Sequence, residues 1–141
     1  MAELRTEFDL MWVLAQRLAG RYCVVKIKDP ATTESFGTLQ IRPDGVPEIH
    51  ITPYLEHQSI RTLLHECAHV RLHADKMTPS NTHQAAARSI TVTKDQKRQT
   101  VSWELQADAL RDRWLSYGKA HADPSLPEDE GIMWALMDYY K

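Results

Sequence analysis

The sequence predicts an α+β fold, with a small antiparallel or mixed sheet in its first half and helices around and after it. Three observations predict this. Three short segments rich in β-branched residues lie between residues 22 and 52. The last two are separated by a tight-turn signal, Arg42-Pro43-Asp44-Gly45. From about residue 58 onward only helical periodicity recurs. The chain has 141 residues, 43% hydrophobic and 26% charged, which suits one domain spanning 1–141.

Leu4, Phe8, Met11, Ala15 and Leu18 recur at helical spacing, and Gly20 follows as a stop signal. Tyr22 to Lys28 reads as a strand ending at the turn dipeptide Asp29-Pro30, and Phe36 to Ile41 reads as a second. In the turn that follows, Pro43 presets φ and Gly45 tolerates positive φ. Pro47 to Thr52 then alternates, with Ile49 and Ile51 on one face and Glu48 and His50 on the other. The second and third strands are therefore expected to pair as a hairpin. A helix is expected from about Gln58 to Ala74, with Leu63, Cys67, Val70 and Ala74 as its apolar stripe. Residues 75 to 93 break the periodicity and read as a long loop near any cleft. Thr93-Lys94-Asp95-Gln96 fits a capping box for a helix reaching His121, whose buried face is Trp103, Ala107, Leu110, Trp114 and Tyr117. Ser125-Leu126-Pro127-Glu128 fits a second box, opening a last helix through Trp134 and Met137.

Bulk charge narrows the function classes. A formal charge of −2 argues against a phosphate-binding surface covering the domain, so nucleic acid is not the expected partner. The N-terminal residues contain no unbroken apolar stretch, and no segment approaches the roughly 18–20 apolar residues of a membrane span. A cytoplasmic location without a membrane partner is expected. The two cysteines, Cys23 and Cys67, are read as small buried hydrophobes.

The chemistry is carried by His65-Glu66-Cys67-Ala68-His69, an H-E-x-x-H sequence. Residues i and i+4 lie one above the other on a helix, so both imidazoles reach one zinc ion. Glu66 flanks that site, where it is the candidate catalytic base for an activated water. A catalytic zinc takes three protein ligands and keeps one open position. Glu104, in Glu104-Leu105-Gln106-Ala107-Asp108, is the candidate third ligand, since it follows Trp103 on the border of the core. Asp108 lies one turn further on the same face. There it is placed to hydrogen-bond the far nitrogen of a ligand histidine without itself binding metal.

Together these motifs resemble a gluzincin, the zincin class whose third ligand is glutamate. Leu63-Leu64-His65-Glu66-Cys67-Ala68-His69 with Glu104-Leu105-Gln106-Ala107-Asp108 resembles the ImmA/IrrE-type peptidases, and is similar to the metallopeptidase domain of ArdC-type antirestriction proteins. The resemblance covers about residues 36 to 118 and is strong at the two motifs. It implies a minimal zincin-like fold, with a short sheet beside the metal helix and further helices after it. It also implies phage, plasmid or stress-response settings. Cys67 stands where those families have Gly or an Ala-rich turn, and the segment between the motifs is long.

The implied function is hydrolysis of a regulatory or defence-related protein or peptide substrate, held as an added strand with Pro47 to Thr52 as the sheet edge. The alternative is a zinc-containing module that acts by binding protein or nucleic acid without hydrolysis. Tyr54, His73, Arg111 and Tyr117 are candidate oxyanion stabilisers. Val70-Arg71-Leu72-His73 lacks the Gly and spacing of the H-E-x-x-H-x-x-G-x-x-H pattern, so His73 is read as a residue behind the ligands or on the surface. His50, His57 and His121 are read as solvated, and His83 as a loop residue.

Overall fold

The structure, a computed structural model, describes residues 7–27, 37–51, 56–76 and 94–140. It is α+β. In chain order the elements are α1 (Glu7–Ala19), β1 (Val24–Ile27), β2 (Gly37–Ile41), β3 (Pro47–Ile51) and α2 (Glu56–His73). A 3₁₀ turn (Ala74–Lys76) ends α2, and α3 (Lys94–His121) and α4 (Glu128–Tyr139) follow. The Thr93 capping box, Tyr54, His83 and residues 77–93 of the expected loop lie outside the described residues, as does the side chain of His57.

Gly20 ends α1 at φ 74°, a left-handed conformation that costs a residue without Cβ little. The β2–β3 turn closes as its residues require. Gly45 has φ 85° and donates its N–H to the Arg42 carbonyl at 2.8 Å. Arg42 N–H reaches the Val46 carbonyl at 3.0 Å, and Asp44 Oδ1 accepts from Val46 N–H at 3.1 Å.

β2 and β3 pair antiparallel as the expected hairpin, with Leu39 opposite Ile49. β1 then adds parallel to the other side of β3, Val25 opposite Ile49. The order is β1-β3-β2, so Pro47–Ile51 is the central strand and not the expected edge. The hairpin signal establishes one partner for β3. The second arrives from β1 across a connection too long for turn chemistry to specify.

Ile49 and Ile51 are wholly buried and join Val25 and Leu39 in the core. His50 points to the opposite face, as alternation requires, but it is not a surface residue. It is 8% exposed, with Nε2 2.5 Å from Glu48 Oε1. Strand alternation names the face and is silent on whether the rest of the chain covers it. The hydrogen bond from His50 holds the Glu48 carboxyl below its ordinary range, against the opposing effect of burial, and Lys26 Nζ at 3.3 Å assists.

Helix α2 occupies the middle, packed against α1, β2, β3, α3 and α4. Its expected stripe is buried, and so are Ile60, Leu64 and Ala68. On α3, Trp103, Ala107 and Trp114 are buried, with Leu110 and Tyr117 packed against the core from its margin. Cys67 and Cys23 are both buried. Burial pushes the Cys67 thiol well up, and pushes Cys23 up to about 11 despite the opposing Gln16 hydrogen bond and Arg21 charge. Two arginines tie helices together through backbone carbonyls: Arg71 Nη1 donates to Leu18 O at 2.9 Å, and Arg17 Nη1 to Met137 O at 2.8 Å.

The second expected capping box does not form. α4 begins at Glu128 with Pro127 as its N-cap and no side-chain cap bond. Ser125 turns back instead, its N–H and hydroxyl both donating to Asp123 Oδ1, at 2.8 and 2.7 Å. An Asp two residues before a Ser makes this local turn, which competes directly with capping. Glu128, Asp129 and Glu130 in the first turn favour the positive end of the helix dipole.

The α3–α4 contact depends on Gly118. A Cβ there would stand 2.6 Å from Ile132 Cγ2 and 3.3 Å from the Ile132 carbonyl. Ile132 is β-branched and wholly packed, so it has little room to turn away. Gly118→Ala gains about 1 kcal/mol of helix propensity, against an overpacking cost of about 1–3 kcal/mol. The expected result is a net loss of about 1 kcal/mol, read from the midpoint of urea unfolding; a gain in stability would show that the two helices separate freely.

Candidate metal centre

Helix α2 supplies His65, Glu66, His69 and His73, and α3 supplies Glu104, Gln106 and Asp108. The structure brings His65, Glu66, His69, Glu104 and Asp108 together. His65 Nε2 and His69 Nε2 are 3.2 Å apart. Glu104 spans them, with Oε2 3.1 Å from His65 Nε2 and Oε1 3.2 Å from His69 Nε2. Glu66 Oε1 lies 3.9 Å from His65 Nε2. His69 and Glu66 are buried, at 0% and 6% exposed, and the side chains of Glu104 and His65 keep some contact with solvent. A buried wall and a wetter mouth result.

These distances test whether a metal fits. Ligand atoms about 2.0–2.1 Å from a tetrahedral ion stand roughly 3.3–3.4 Å from one another. The two imidazole nitrogens are already 3.2 Å apart, and each lies 3.1–3.2 Å from one of the two oxygens of Glu104. The group is therefore compact enough to hold a metal ion. The wider clusters His65–Glu66–His69 and His65–Glu104–Asp108 are also compact enough to do so. Electrostatics points the same way. Glu66, Glu104 and Asp108 crowd around two imidazoles, and a cation relieves the repulsion among them. At His65 burial opposes the imidazolium, but the Glu104 hydrogen bond and the charges of Glu66, Glu104 and Asp108 outweigh it, so its pKa is raised.

Asp108 meets the outer nitrogen of His65, Oδ1 lying 2.9 Å from Nδ1. The carboxylate stands out of line with the ring N–H, so Nδ1 has no properly directed hydrogen-bond partner. A small rotation of the ring or carboxylate makes the bond. The same Oδ1 receives Arg111 Nη1 at 3.1 Å, while Arg111 Nη2 reaches Asp112 Oδ1 at 3.0 Å. Of the candidate oxyanion stabilisers, Arg111 stands beside the cluster. His73 is 1% exposed and lies behind His69, with its Nδ1 3.1 Å from His69 Nδ1. Tyr117 is removed from the site, stacked on His121 at 4.1 Å and packed on Tyr139 at 4.5 Å.

Gln106 belongs to the site and was not singled out from sequence. Its Oε1 is 2.8 Å from His73 Nε2. Residues 73 and 106 meet only because α2 packs on α3, and helical phase within either element does not reveal the pairing. No protein-family model, no curated protein and no solved structure matches the chain.

Purified protein is expected to hold about one metal ion per chain by elemental analysis, with sharp loss in His65→Ala and in His69→Ala. Asp108→Ala should weaken the metal by about 10–100-fold and leave the stoichiometry intact at saturation. Unaltered affinity in Asp108→Ala would remove Asp108 from the centre.

Proposed function

We propose that this chain is a zinc-dependent peptidase of the gluzincin type, with a minimal zincin-like fold. One observation carries the reading: the ring nitrogens of His65 and His69 stand 3.2 Å apart with the Glu104 carboxylate 3.1–3.2 Å from each, and the Glu66 carboxylate is buried beside them. Two imidazoles and a carboxylate form the donor set of a catalytic zinc that keeps one position open. Zinc held there supplies Lewis acidity, lowering the pKa of water toward about 7 and polarising a carbonyl.

The residues divide the remaining work. Glu66 accepts the proton of the attacking water and returns it to the leaving amine. Asp108 orients His65, and Arg111 holds Asp108 in place. A substrate strand needs a sheet edge near the ligands. β3 is central, whereas β2 pairs only with β3 among the described residues and packs against α2. Gly37–Ile41 is therefore the edge on which an extended peptide would add. The resemblance to ImmA/IrrE-type and ArdC-type domains supports a regulatory or defence-related protein substrate met in the cytoplasm. Among the described residues no helix is long and apolar enough to cross a membrane.

Glu66→Gln separates catalysis from binding. It keeps side-chain size and removes the base, so zinc content and fold should persist while cleavage falls by about 10²–10⁴-fold. Peptide-library digestion by the zinc-loaded protein, read by mass spectrometry, measures this. Equal cleavage by wild type and Glu66→Gln would refute the role of Glu66. A biological effect that survives the substitution would make the chain a binding module.

A further inference from the structure

Behind the ligand face a polar chain runs from the buried histidines out to the exposed side of α3. His73 lies one helical turn beyond His69, wholly buried, and its ring stacks on Trp103 with centroids 4.6 Å apart and planes 12° apart. Its two nitrogens face different partners. Nδ1 meets His69 Nδ1 at 3.1 Å, and Nε2 meets Gln106 Oε1 at 2.8 Å. Gln106 Nε2 in turn donates to Ser102 Oγ at 3.2 Å.

The chemistry of these contacts has a direction. An amide oxygen only accepts, so His73 carries its proton on Nε2 and donates it to Gln106. A neutral His73 then offers a lone pair at Nδ1. Two bare nitrogens do not bond each other, so His69 must donate from Nδ1. That turns the lone pair of His69 Nε2, the atom 3.2 Å from both His65 Nε2 and Glu104 Oε1, toward the place a metal ion would take between them. The opposite direction would place a proton on the metal-facing nitrogen. Trp103 fixes the plane of the His73 ring, so acceptor and donor are both held in position.

We propose that His73 is a positioning residue that, held by Gln106 and Trp103, locks His69 in the tautomer and orientation competent to bind metal. The proposal rests on the metal centre described above and extends it by one buried layer. The two ligand histidines are thereby supported differently. His65 leans on a half-exposed carboxylate, and His69 on a fully buried imidazole. A buried His serving only to fill space would need its ring and its stack, and not the polarity of its nitrogens.

The test uses the full chain and zinc alone as probe. His73→Phe keeps the ring and the Trp103 stack but removes the acceptor. His73→Gln restores an acceptor toward His69 and a donor toward Gln106. Chelator competition should show zinc binding weakened by about 10–100-fold in His73→Phe and largely recovered in His73→Gln. In zinc-loaded, ¹⁵N-labelled wild type, a scalar coupling across the hydrogen bond should join the Nδ1 atoms of His69 and His73, with the proton on His69. Should His73→Phe fail to fold, Gln106→Leu on α3 replaces it, with weaker zinc binding expected. Equal zinc affinity in wild type and His73→Phe, or a proton found on His73 Nδ1, overturns the proposal while leaving the metal centre standing. Absence of zinc binding by the wild type overturns the metal centre itself, and with it this role for His73.

Discussion

Burial of α2 on almost every side is the constraint from which the rest of the structure follows. The helix packs on α1, on two strands and on both later helices. Its apolar residues are satisfied by that arrangement, but Glu66, His69 and His73 are taken out of water with them. An unpaired buried polar group costs about 1–3 kcal/mol. Three on one helix would threaten a domain of ordinary marginal stability. Their partners come chiefly from α3, which brings Glu104 and Gln106 against His69 and His73. The packing of these two helices and the assembly of the candidate site are thus one event. A cation at its centre would strengthen the contact that creates it.

How far the residues announced this depends on the range of the interaction. H-E-x-x-H was legible because i and i+4 share a helix face, and Glu104 with Asp108 for the same reason. The β2–β3 hairpin was legible because Pro43, Asp44 and Gly45 specify its turn within four residues. What escaped notice was non-local. The position of β3 depends on β1, which pairs Val25 with Ile49 across 24 residues of sequence. Gln106 and His50 have functions or environments set by elements distant in the chain. The Ser125 capping box failed for a local reason of another kind: Asp123 offered the hydroxyl a nearer acceptor.

The site is also asymmetric in its electrostatics. Asp108 Oδ1 stands between His65 and Arg111, so the anion beside His65 is itself partly countered by a guanidinium. Behind His69 the support is the buried imidazole of His73. A metal ion would therefore meet one ligand tuned by a screened anion near solvent and another tuned by a dipole in the dry interior. The dry side is the less sensitive of the two to salt.

Arg17 and Met137 carry a consequence for how the molecule comes into being. Their hydrogen bond joins residues 120 positions apart, linking the first helix to the last. During vectorial synthesis α1 leaves the ribosome long before α4, and for that interval its Arg17 has no carbonyl of residue 137 to hold. These contacts are thus reserved until α4 has been made, and contacts of such long range slow folding. Until then the apolar side of α1 stands without its final cover, an interval in which the nascent chain is open to chaperones and proteases alike.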